Sequence, residues 1–150
     1  MKTRKIVITL LFLATAFLNT QAQEIGIRGG AYSGNGGVAL DAVFSTSKFS
    51  RVHMDLSFGQ GVGTDVLFDF LYLPLGDEAF NWYMGVGPYA YFPFDASGNF
   101  ALGGVGEIGL LYAFNSIPFT LSIDWRPYFR LIQTTDIFYG GFGVNFRYVI

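Results

Sequence analysis

The chain has 150 residues, 51% of them apolar and 13% charged, with 17 phenylalanines, nine tyrosines, 20 glycines and no cysteine. That length allows one ordinary domain, and the apolar content is too high for a disordered chain. The lack of cysteine excludes disulfides, thiolate metal sites, cysteine nucleophiles and the acylated cysteine of a lipoprotein, while a formal charge of −2 excludes the basic footprint of a nucleic-acid binder.

Residues 1–22 are expected to be a cleaved signal peptide. Lys2, Arg4 and Lys5 form a basic start, Ile6 to Leu18 an apolar stretch too short to span a membrane as a helix, and Thr20-Gln21-Ala22 a small-x-small cleavage site. The remaining domain, 23–150, holds six basic and eleven acidic residues, a net charge of −5. No second apolar run reaches helical spanning length.

From there the chain alternates with period two, the spacing of a strand between an apolar and a polar medium. Strands are expected near 24–31, 37–44, 51–59, 63–73, 81–92, 100–113, 119–131 and 137–149. Arg51-Val-His-Met-Asp-Leu-Ser-Phe58 is the cleanest case: Val52, Met54, Leu56 and Phe58 share one face, and Arg51, His53, Asp55 and Ser57 the other. Phe119 to Arg130 repeats the pattern, as does Phe138 to Ile150, where Tyr139 falls on the polar side. Turn signals separate the strands at Ser33–Gly36, Ser45–Lys48, Gly59–Gly61, Pro74–Glu78, Asp95–Gly98, Asn115–Pro118 and Gln133–Asp136. Connections this short make antiparallel hairpins, because parallel pairs need long crossovers. The expected fold is all-β: an eight-stranded antiparallel up-and-down barrel. Pro88 and Pro127 fall inside expected strands and predict bulges or earlier strand ends.

Charge position says which medium faces the apolar side. Lys48, Asp77, Glu78, Asp95 and Asp136 fall in turns, and the other charged residues of the domain sit on strand faces opposite the aromatics. Those proposed to form an ion-paired lumen are Arg28, Asp41, Arg51, Asp55, Asp65, Asp69, Glu107, Asp124, Arg126, Arg130 and Arg147, with Glu24 on the same face. Arginine and aspartate without lysine suit a narrow interior where opposite charges pair. Aromatics gather near strand ends, with Phe44, Tyr72, Trp82, Tyr112, Phe119 and Tyr148 at one rim and Phe58, Phe92, Phe100, Phe129 and Phe138 at the other. Two aromatic girdles around an apolar band mark a transmembrane barrel. About ten tilted residues per strand span its height of about 25 Å.

Three segments carry a more specific likeness: Gly106-Glu-Ile-Gly-Leu-Leu-Tyr112, Pro118-Phe-Thr-Leu-Ser-Ile-Asp-Trp-Arg-Pro127 and Gly143-Val-Asn-Phe-Arg-Tyr148. On these the chain resembles the small eight-stranded outer-membrane β-barrels, similar to the transmembrane domain of outer membrane protein A. The resemblance implies residence in the outer membrane of a Gram-negative-type cell, contact with its lipid, and handling by the barrel-assembly machinery. Gly143, Phe146 and Tyr148 would be the insertion signal that machinery reads, although the chain ends in Val149-Ile150 where the usual form ends in phenylalanine.

Candidate chemistry is sparse. Gly104-Val-Gly-Glu-Ile-Gly109 fits a dinucleotide fingerprint literally, but that motif must open a helix and strand flanks it here. His53 is the single histidine, expected in the lumen beside Asp55 or Arg51. Asp65 with Asp69, or Asp41 with Asp124, would need room for a sugar to act as a glycosidase pair, and an eight-stranded barrel is only wide enough for its own side chains. Tyr83, Tyr89, Tyr91, Tyr128 and Tyr139 are expected to point inward opposite Gly85, Gly87, Gly141 and Gly143. The expected role is structural or interactive, with no cofactor. The alternatives are a lipid-modifying barrel enzyme and a barrel that binds a small apolar ligand.

Overall fold

Period-two alternation closes into a ring. The computed structural model describes residues 23–32, 35–132 and 135–150; the expected signal peptide, 1–22, lies outside them. Eight strands follow in chain order: β1 (Gln23–Tyr32), β2 (Asn35–Ser47), β3 (Ser50–Phe58), β4 (Gly61–Leu75), β5 (Asp77–Pro93), β6 (Ala101–Ala113), β7 (Phe119–Arg130) and β8 (Asp136–Val149). Each pairs antiparallel with the next, and β8 pairs with β1 to close an up-and-down barrel. Closure leaves no unpaired edge. Both ends of the described chain meet at one rim, where the Ile150 N–H donates to the Gln23 carbonyl at 2.8 Å.

The first four connections are tighter than expected, and the other three keep their expected length. Pro74–Glu78 contracts to a reversal at Gly76, whose φ of 73° favours a residue without Cβ. At the opposite rim the connection between β5 and β6 is closed by Asp95, which accepts from the Ser97 N–H at 3.0 Å and its hydroxyl at 2.8 Å. Those two donors, the backbone one first, hold the Asp95 carboxyl below its ordinary range.

Alternation puts the charged groups inside, together with tyrosines and a few apolar side chains such as Val43, Leu67, Val105 and Leu111, and most of the apolar residues outside. Between Asp69 and Leu71 the β4–β5 register slips by one. Beyond the slip Tyr72 faces the buried Tyr83 and lies over Arg51, with the guanidinium 4.3 Å from its ring centre. Tyr72 therefore belongs to the interior and not to the outer aromatic rim where its spacing put it.

A second slip, between Arg126 and Tyr128, sets Tyr139 and Gly140 of β8 against Pro127 alone. The register of β8 shifts there by one residue, and residues 136–140 are all exposed. Phe138 pairs with the inward Tyr128, and Ile137 takes the place beside Phe129 that Phe138 was expected to fill. Tyr139, expected inside, is 61% exposed. Pro127 has no N–H to give a ladder, and a bulge is one way to place such a residue inside a sheet. Pro88 needs none: β5 keeps its register with both neighbours through it, so a bulge there was not required.

The bulged backbone is not left bare. The Trp125 indole N–H donates to the Tyr139 carbonyl at 2.7 Å. Trp125→Phe keeps an aromatic ring and removes the donor, and should destabilise the barrel by about 0.5–1.5 kcal/mol, the net worth of a typical hydrogen bond. Equilibrium urea titration of the detergent-folded protein measures it. An unchanged midpoint would mean that the carbonyl finds another donor.

Candidate functional site: the charged interior

Strand geometry delivers the charges inward. Every second residue of a strand faces the same side, so Arg51, His53 and Asp55 leave β3 together, as do Asp65 and Asp69 from β4 and Asp124 and Arg126 from β7. Arg28 comes from β1, Asp41 from β2, Glu107 from β6 and Arg147 from β8. All are buried, and the side chains of Arg28, Arg126 and Arg147 are fully so.

Arg126 is the hub. It pairs with Asp55, with Asp65 at 3.2 Å, with Glu107 at 3.1 Å and with Asp124 at 3.6 Å, joining four strands across the interior. Arg28 forks onto Asp124 through Nη2 at 2.5 Å and Nε at 3.1 Å. Arg147 bonds Asp41 at 2.6 Å and also the Ser122 hydroxyl at 3.2 Å. Arg51 holds Asp69 at 2.8 Å between the rings of Tyr72 and Tyr83, 4.3 and 4.6 Å away. A guanidinium flanked by aromatic faces and a carboxylate combines cation–π attraction with a charged hydrogen bond.

His53 sits inside this network and not beside it. Its Nδ1 is 3.0 Å from Glu107 and its Nε2 2.7 Å from Asp41, while Asp55 is more distant at 3.7 Å. The expected partners Asp55 and Arg51 thus give way to Asp41 and Glu107. The sheet register fixes which residues neighbour each other along the wall, but contacts across the lumen depend on strand tilt, which local sequence does not state.

Arg130 stands apart. It is half-buried at the last position of β7, in register with Asp136 and away from the buried cluster that holds the other ten proposed residues. Sequence reasoning also left out partners that complete the network. Asn145 donates to Asp124 at 2.7 Å, Tyr128 to Asp65 at 2.6 Å, and Thr120 to Glu24 at 2.9 Å. Their inward parity was readable, but their partners were not.

Glycines make the room. A Cβ on Gly143 would strike the Arg28 guanidinium, one on Gly109 the Tyr83 ring, and one on Gly85 the Asp69 carboxylate. Gly104 to Gly109 lies wholly within β6, so the dinucleotide-like spacing is a stretch of wall, and only its last glycine, Gly109, is covered by a large side chain, Tyr83. Tyr83, Tyr89, Tyr91 and Tyr128 are buried as expected, and Tyr89 and Tyr128 meet edge to face at 5.0 Å. Outside, an apolar basin of about 710 Å³ lies between Trp82, Ile108, Ile123, Trp125, Phe142 and Val144, open to the surroundings of the wall.

No protein-family model matches the chain, and no curated protein matches it.

Breaking a pair should cost more than deleting it. Asp124→Leu strands Arg28 without its carboxylate and should destabilise by about 3–5 kcal/mol. Adding Arg28→Leu should recover part of that loss, since two apolar groups leave less uncompensated charge than one orphaned ion. A double-mutant cycle in urea tests it; strictly additive losses would mean that the two residues are not energetically paired.

Proposed function

We propose that the chain is an exported protein whose barrel stands in the outer membrane of a Gram-negative-type cell, with a structural or interaction role. One observation carries the reading: the barrel is inverted relative to a water-soluble one. Its buried interior is charged, while Ile25, Leu40, Phe68, Val86, Ile123 and Val144 are exposed on the wall. Water would penalise that surface, and hydrocarbon would not.

The remaining features fit. The basic and apolar start of the sequence would direct export and be removed. Phe119 and Tyr148 meet at 5.4 Å at the rim that holds the termini, and Phe92 and Phe100 at 4.9 Å at the other, where headgroups would lie. Tyr148 and Phe146 face outward on β8, and Gly143 faces Arg28; under this reading they form the segment that barrel-assembly machinery engages. This arrangement would suit a small eight-stranded outer-membrane barrel. The ion-paired interior serves as a plug, and short connections at the rim away from the termini would be the part open to a partner.

Cell fractionation with a mobility comparison of heated and unheated protein should recover a heat-modifiable species in the outer membrane. Recovery in the soluble periplasm would overturn the reading. In planar bilayers the protein should give no large, stable conductance, and reproducible porin-sized openings would remove the plug.

The wall itself can be probed at Ile123, which is 56% exposed. Ile123→Arg should cost about 2–4 kcal/mol near the midplane of the hydrocarbon, and Ile123→Phe should be nearly silent. Urea titrations in lipid measure both; a neutral Ile123→Arg would place that face in water.

A further inference from the structure

The interior holds more acid than base. Seven buried carboxylates face four buried guanidiniums among the described residues. A charged imidazole reduces that excess from three to two, and unbalanced charge away from water is relieved either by a bound proton or by a cation.

One cluster is built to take a cation. A ring nitrogen of His53 and one carboxylate oxygen each from Asp69 and Glu107 lie within 4.8 Å of one another, all three residues buried. His53 Nδ1 and Glu107 Oε1 are 3.0 Å apart. Two ligands set at a right angle about an ion, each bonded at about 2.1 Å, have about that separation. Asp69 Oδ1 is buried and receives no N–H or hydroxyl donor, and the Asp69 carboxyl lies within hydrogen-bonding reach of that of Glu107.

The far side of each group is already held. Arg51 bonds Asp69 Oδ2 at 2.8 and 3.1 Å, and Arg126 Nε bonds Glu107 Oε2 at 3.1 Å. Asp41 lies 2.7 Å from His53 Nε2. With Nε2–H donating to Asp41, the Nδ1 lone pair points toward Glu107 Oε1. A carboxylate behind a ligating imidazole fixes its tautomer and raises its basicity. Arg126 Nη2 is the nearby cation, 3.4 Å from Nδ1, on a guanidinium already tied to Asp55 and Asp65.

The adjacent grouping of Asp41, His53 and Asp55 is less suited. Two cations stand against Nε2 there, Arg147 Nη2 at 3.1 Å and Arg126 Nη2 at 3.2 Å, where Nδ1 has, among the described residues, only Arg126 Nη2 at 3.4 Å.

We propose that His53, Asp69 and Glu107 bind one divalent first-row transition ion of the zinc or manganese kind, as a structural centre inside the barrel. A mixed nitrogen and carboxylate set suits such ions better than magnesium or calcium, which favour oxygen alone. The ion's two charges offset most of the acid excess. Because the three ligands are buried, it enters while the barrel closes. The site depends only on the interior, so it stands or falls separately from what surrounds the outer wall.

The chain from Gln23 to Ile150, which forms the whole closed barrel, is refolded in detergent without an affinity tag. Zn²⁺, Mn²⁺ or Co²⁺ is supplied in one arm and a chelator in the other. After gel filtration, elemental analysis should find one ion per chain. The Co²⁺ form should show visible d–d absorption, and the thermal midpoint should exceed that of the chelated arm. His53→Gln should reduce the metal content to background. Asp41→Asn, which removes the carboxylate behind the imidazole, should weaken binding by about 10–100-fold. If these variants do not fold, the wild-type content and spectrum decide. A wild-type protein that emerges metal-free with an unchanged midpoint overturns the site, as does a folded His53→Gln protein that keeps its ion.

Discussion

The charged interior of the barrel is tied together at Arg126. Its guanidinium reaches carboxylates on β3, β4, β6 and β7 at once, which no single charge pair along the wall could do. A planar group with several donors can bridge carboxylates in different directions, whereas an ammonium acts as a compact point charge. Buried salt bridges are poor sources of net stability because desolvation offsets most of the attraction. What such a hub supplies is selection: a register slip of one residue on any of the four strands would turn a carboxylate to the outside and leave Arg126 short of a partner.

That selection explains how much of the molecule could be read in advance. The alternation of Arg51 to Phe58, or of Phe119 to Arg126, is unbroken, and each charged residue there faces inward as its parity requires. The failures come at bulges. One extra residue near Phe70 turns Tyr72 inward, and Tyr139 with Gly140 shifts the start of β8 by one residue. A period-two reading cannot detect an insertion of one residue unless something marks it. Pro127 marked the second through its missing N–H, but the bulge fell on the strand opposite. Nothing as plain marked the first.

The interior chemistry was legible as composition and not as pairing. Parity alone placed His53 among charged groups, yet its partners Asp41 and Glu107 come from β2 and β6. Sequence neighbours such as Asp55 were the natural guess. Contacts across a narrow barrel depend on the tilt and stagger of all eight strands together. The glycines are the complementary half of that geometry: Tyr83 folds over Gly109 and the Arg28 guanidinium over Gly143, where the wall has no Cβ.

The distance in sequence between interior partners shapes how the molecule assembles. Arg28 and Asp124 are 96 residues apart, and Arg147 and Asp41 are 106 apart. Neighbouring hairpins can zip locally, but these contacts form only when β8 meets β1. Until that seam shuts, the ionic groups can keep their water, and afterwards they all lose it together. Folding therefore concentrates its cost and its reward in one late event of high contact order, which makes closure slow. The same event read backwards is a barrier to opening. The finished barrel should persist through the height of that barrier, as a kinetically trapped ring, more than through the depth of its energy well.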